Sequence, residues 1–170
     1  MSTIQMLLVL GAMILLSLLI MNVSKNTLST EDVMYNSNFG ITATSIGVSI
    51  IEDASKKRFD NIFYVDSTAV YDVSHFTASV DLGVDSGETI TDASTFNDFD
   101  DYNGFTGIDS TMPSAIYNFS SNVYYIDEMD PDGSINTQSF HKKITVRVWS
   151  NSMKDTMVMS SVFSYWSFLP

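Results

Sequence analysis

From Ile4 to Met21 the chain reads IQMLLVLGAMILLSLLIM, a stretch with no charged residue in which only Gln5, Gly11 and Ser17 interrupt the apolar series. At about 1.5 Å rise per residue it just spans the roughly 30 Å hydrocarbon core of a bilayer. A secretory signal peptide carries a basic start, a shorter apolar core and a small-residue cleavage site, and none of these features occurs here. The stretch therefore reads as a retained membrane helix, or as a signal anchor that only tethers the rest of the chain. Any fold of this chain has to find cover for one helix that is apolar on every side.

The remainder, from Asn22 to Pro170, is polar, acidic and rich in aromatic residues, and is long enough for one modest domain with its own core. The chain has no cysteine, which excludes a thiol nucleophile, a disulfide framework and a thiolate metal site. The net charge of -12 is unevenly placed, because between Asn61 and His141 there are fourteen Asp and Glu and not one Lys or Arg. Such a surface repels nucleic acid and anionic lipid.

Helical periodicity continues past the apolar run. Phe39, Ala43, Ile46, Ile50 and Ala54 recur at three- and four-residue intervals, the stripe of one helix face. No proline precedes Pro113, so nothing forces a break between residues 1 and 58, although Asn22, Ser24, Asn26 and Gly40 are weak helix formers. Ser29-Thr30-Glu31-Asp32 reads either as an N-cap region or as a polar patch on a continuing helix. A continuous helix would be a rod of roughly 85 Å. The organisation expected is a hydrophobic membrane or filament-core helix over 1–28, its amphipathic continuation over 29–58, and a β-rich head with acidic loops over 59–170.

Beyond Asp60 the period changes to two. Ile144, Val146 and Val148 alternate with Lys143, Thr145, Arg147 and Trp149, as in a half-buried strand. Similar runs lie at about Ser114–Asp127 and Thr156–Phe168, and Asp130-Pro131-Asp132-Gly133 and Asn151–Asp155 suit turns between them. These predict an antiparallel meander of three strands and an α+β fold. Residues 61–113, with short β-like pieces at Ile62–Val65 and Phe76–Leu82, predict a long irregular connection. Alternation at the C-terminus places Phe163 and Tyr165 on one face and Trp166 and Phe168 on the other.

Two acidic groups suit calcium, a hard cation that takes oxygen ligands. Asp98, Asp100, Asp101 and Asn103 precede Gly104 in a segment whose Phe96, Phe99, Tyr102 and Phe105 would anchor it as a loop. Glu128, Asp130 and Asp132 before Gly133 match the first half of an EF-hand loop, with Ser139 where the bidentate glutamate belongs and Pro131 favouring a plain turn. His75 and His141 are the two histidines, far apart and without a catalytic or metal-binding motif, so no catalytic residues are expected.

An apolar helix at the start, an amphipathic continuation to about residue 55, a variable loop and a closing antiparallel meander together resemble a type IV pilin or pseudopilin. The resemblance covers the whole chain as architecture, and as sequence only the first twenty or so residues. It implies a structural subunit that is held in the bacterial inner membrane before assembly. The subunit then polymerises with itself into a helical filament at the cell surface, with prepilin peptidase and the assembly or secretion machinery as earlier partners. Met1, Ile4, Gln5, Leu8, Gly11, Ala12, Leu15, Leu18 and Leu19 would form the filament core, with Met1 as the processed N-terminus and Gln5 near its amine. The family carries glutamate at the position of Gln5 and commonly a proline at that of Asn22, and this chain departs from both. Two other readings are a minor pseudopilin of a secretion machine and a membrane-anchored binding module with acidic, calcium-binding loops.

Overall fold

The computed structural model describes residues 2–61 and 72–168. Met1 and the expected β-like piece Ile62–Val65 lie outside them. Its first element, α1, runs from Thr3 to Ser55. Ser2 and Gln5 form a reciprocal cap at its start: the Ser2 amide donates to Gln5 Oε1 at 3.2 Å and the Gln5 amide to Ser2 Oγ at 3.4 Å. The weak helix formers are absorbed without a break, and the Thr27, Thr30 and Thr44 hydroxyls donate to the carbonyls of Val23, Asn26 and Gly40 one turn back. The helix closes through tighter bonds from the Lys56 and Lys57 amides to the Asp53 and Ala54 carbonyls.

By packing, the chain divides into Met1–Asn38 and Phe39–Pro170. In the first unit the apolar side chains are exposed all round the helix, from Ile4 at 70% to Leu28 at 64%. The second unit begins with the rest of α1, whose Ala43, Ile50 and Ala54 are buried in the core and whose Phe39 and Ile46 pack against it. These five residues are the stripe read from the periodicity.

The core closes on one antiparallel sheet of five strands: β1 Thr106–Asp109, β2 Tyr117–Ile126, β3 Ser134–Ile135, β4 His141–Trp149 and β5 Met157–Ser164. The order is β1-β2-β4-β5, with β3 also on β2. Because β4 takes one edge of β2 from Asn118 to Tyr125, β1 and β3 share the other edge, opposite residues 117–120 and 125–126. Val123 lies opposite Ile144, Ser121 opposite Val146, and in β5 Ser161 and Met159 face the same two residues. Ile144, Val146 and Val148 are fully buried, each contributing about 1.5–3 kcal/mol of apolar transfer. The fold is α+β: the C-terminal part of α1 packed on an antiparallel sheet.

The structure changes three expectations. The meander of β2, β4 and β5 gains two short strands, each too brief for an alternating pattern to stand out. The connection before Pro113 is irregular as expected, but it is built into the core: Phe76, Leu82, Phe96, Phe99, Tyr102 and Phe105 are buried, and its last residues form β1. The final strand ends at Ser164, the Tyr165 amide still bonds to the Phe140 carbonyl at 2.8 Å, and the chain then turns into a short 3-10 segment, Tyr165–Phe168. Tyr165 and Trp166 consequently share one aromatic cluster with Phe140, instead of lying on opposite faces.

Candidate functional site

Alternation along β4 carries an unexpected residue to the inner face. Lys142 lies in step with Ile144 and is fully buried, an expensive position for an ammonium unless its charge and all its donors are met. Its Nζ donates to the Phe59 carbonyl at 2.8 Å, to Asp60 Oδ2 at 2.9 Å and to Asp100 Oδ1 at 2.8 Å. It also lies 4.7 Å from the centre of the Phe59 ring and 5.2 Å from that of Tyr125. Burial alone would lower the Lys142 pKa, but Asp100 and Asp60 outweigh it and hold the ammonium above its ordinary value.

Asp60 is clasped from a second side, by the Thr77 amide at 3.0 Å and the Thr77 hydroxyl at 3.1 Å. The Tyr125 hydroxyl reaches the Thr77 carbonyl at 2.8 Å, tying β2 to the same knot. Burial, then the charges of Asp60 and Asp100, push this phenol far up. Lys142 thus joins the end of α1, the irregular connection and the sheet at one buried point.

Asp98 and Asp101 stand beside this knot and fold the loop on themselves. Asp98 Oδ1 accepts the Asp100 amide at 2.9 Å and the Asp101 amide at 3.3 Å, while Asp101 Oδ2 accepts the amides of Asn97 and Asp98 at 2.8 and 3.0 Å. Asp101 Oδ1 and Asn97 Oδ1 are buried and accept no hydrogen bond. From the preceding turn the Asp85 amide donates to Glu88 Oε2 at 2.9 Å, and Asn97 Nδ2 donates to Glu88 Oε1 at 2.6 Å. Asn61 Nδ2 donates to Asp85. Asp85, Asp98 and Asp101 each present an oxygen within 4.8 Å of the other two, which makes them, among the described residues, a group that could hold a metal ion. Burial, followed by the charge of Asp100, pushes the Asp98 carboxyl up to about 10, and burial pushes Asp101 up to about 7.

The acidic set read from the sequence is therefore divided. Asp98 and Asp101 stay together, Asp100 turns to Lys142, and Asn103 serves the backbone, donating to the Leu82 carbonyl at 2.9 Å and accepting the Val123 amide at 3.1 Å. The set's three carboxylates are also buried, where a solvated loop was the alternative. Glu128, Asp130 and Asp132 lie exposed in the turn between β2 and β3: Asp130 Oδ1 accepts the Gly133 amide and Asp132 pairs with Lys143 at 2.8 Å. Asp85, Glu88, Asp60 and Lys142 were missed, and the one signal for them was the long acidic segment with no cation before Lys142.

In the helix, Ile4, Leu8, Leu15, Leu18 and Leu19 are all exposed, and Gly11 and Ala12 leave room for close approach by another chain. Compared with protein families, curated proteins and solved structures, the chain matches none.

Proposed function

We propose that this protein is a pilin-like structural subunit that leaves the membrane by polymerising with copies of itself, through its N-terminal helix, into an extracellular filament. The observation that carries the reading is the extent of exposed apolar surface on α1. A bilayer accounts for about 20 residues. Exposed Leu28, Val33, Met34 and Tyr35 lie beyond the stretch Ile4–Met21 that a membrane would cover. An anchor has no use for them, whereas neighbouring helices in a bundle would cover them together with the run that precedes them.

Transfer from lipid to a bundle costs such a helix little, since both surroundings are apolar, and packing at Gly11, Ala12 and Ser17 decides the partner. Contacts that are head-to-tail and do not close generate an open helical polymer. Gln5 accepts from Ser2 in its own chain, which gives it a local task that does not depend on a charge.

The test is electron microscopy of material sheared from producing cells, with mass spectrometry of its subunits. Thin uniform filaments composed of this chain are expected. Leu8→Asp or Leu15→Arg, each adding about 2.5–3.5 kcal/mol at the centre of an apolar helix, should abolish them while the head stays folded. Filaments that survive either substitution would refute the proposal. Chains that remain as single copies in the membrane fraction would make the helix an anchor.

A further inference from the structure

We propose that Asp85, Asp98 and Asp101, with the amide oxygen of Asn97, form a calcium site in the head, independent of whether the chain builds filaments. Oxygens that share one calcium lie on a sphere of radius about 2.3–2.6 Å, so none can be more than about 5 Å from another. The three carboxylates meet that limit, each with an oxygen within 4.8 Å of the others.

The second observation is the state of Asp101. The residue is 1% exposed, its Oδ2 is held by two backbone amides, and its Oδ1 is buried with no partner. Asn97 Oδ1 is likewise a buried atom with no hydrogen-bond partner, on a half-buried residue whose amide nitrogen donates to Glu88. Buried acceptors left without a donor cost about 1–3 kcal/mol each, more where charged, and a cation satisfies several at once.

Charge points the same way. The Lys142 ammonium is committed to Phe59, Asp60 and Asp100, and no ion pair among the described residues reaches Asp85, Asp98 or Asp101. Glu88 adds a further negative charge beside Asp101.

The donor set selects the ion. Carboxylate and amide oxygens without cysteine or histidine disfavour zinc, and several protein ligands in one irregular loop suit calcium better than magnesium, which keeps most of its water. Asp85 is exposed and leaves that side of the ion open to water.

The experiment titrates chelator-treated full-length protein in detergent with calcium chloride by calorimetry, and with terbium by luminescence. The parent should bind one calcium per chain, in the range of about 10⁻⁵–10⁻³ M, with equimolar magnesium unable to displace it. Asp85→Asn, at an exposed position where folding is safe, should weaken binding on the order of tenfold or more, a change of about 1.4 kcal/mol. Asp132→Asn in the exposed turn should bind like the parent. Absence of saturable binding at millimolar calcium would overturn the proposal. So would equal weakening by both substitutions, which would signal diffuse attraction to an acidic surface, and so would parental affinity in Asp85→Asn.

Discussion

Replacing Lys142 with methionine removes its ammonium from the buried knot while keeping its length and most of its volume. The substitution deletes three hydrogen bonds and takes the ammonium away from Asp60 and Asp100, whose side chains are 2% and 3% exposed. Breaking a buried pair on one side costs about 3–5 kcal/mol, because the remaining charge stays desolvated. Against a total stability of about 5–15 kcal/mol this is a large share. For a unit the size of this head, each kcal/mol is worth about 3–6 °C, so Lys142→Met should lower the melting temperature by about 10–25 °C at neutral pH. The measurement is thermal unfolding of the full chain in detergent, followed by near-ultraviolet circular dichroism of the buried aromatic residues. Asp60→Asn and Asp100→Asn added to Lys142→Met should recover at least half of the loss, since the amides keep bonding capacity without charge. A single variant that melts within about 2 °C of the parent, or a triple variant no better than the single, would refute the argument that charge compensation holds this knot.

Other consequences are smaller and as readily measured. A Cβ at Gly47 would collide with the mobile end of Met159 and lie 3.5 Å from Val148 Cγ2. Gly47→Ala should therefore stay within about 1 kcal/mol of the parent, because helix propensity offsets the displaced thioether, while Gly47→Val should lose about 1–3 kcal/mol in denaturant unfolding. In chelator-treated protein, the raised carboxyls of Asp98 and Asp101 favour the protonated folded state. Their contribution is complete below the unfolded carboxylate range and is lost as pH rises through about 7 and on toward about 10, so the melting temperature should fall along that path; a flat profile would contradict it. Gln5→Leu should expose the Ser2 amide to faster hydrogen exchange, a local loss of about 0.5–2 kcal/mol, whereas Gln5→Glu should leave protection unchanged by keeping the acceptor for Ser2.

How far the chain could be read in advance depends on the range of the interactions involved. The stripe from Phe39 to Ala54 and the alternation at Ile144, Val146 and Val148 are periodic, and periodicity is a local property visible in a few consecutive residues. The same alternation set Lys143 on the face opposite Ile144, where it is nevertheless buried and pairs with Asp132, but could not say what would meet Lys142. Its partners Asp60 and Asp100 lie 82 and 42 residues away, and no local pattern links them. The split of Asp98, Asp100, Asp101 and Asn103 has the same origin: four neighbours in sequence point to different destinations because the segment is irregular and carries no fixed period. The run from Ile4 to Met21 stands at the opposite extreme. Its sequence defines the helix completely and its surroundings not at all, since a surface that is apolar on every side asks only for a non-aqueous neighbour. Exposed residues further along α1, Leu28, Val33, Met34 and Tyr35, continue that demand. Under the proposed reading the cover extends about 20 Å past a stretch of membrane length and comes from other helices.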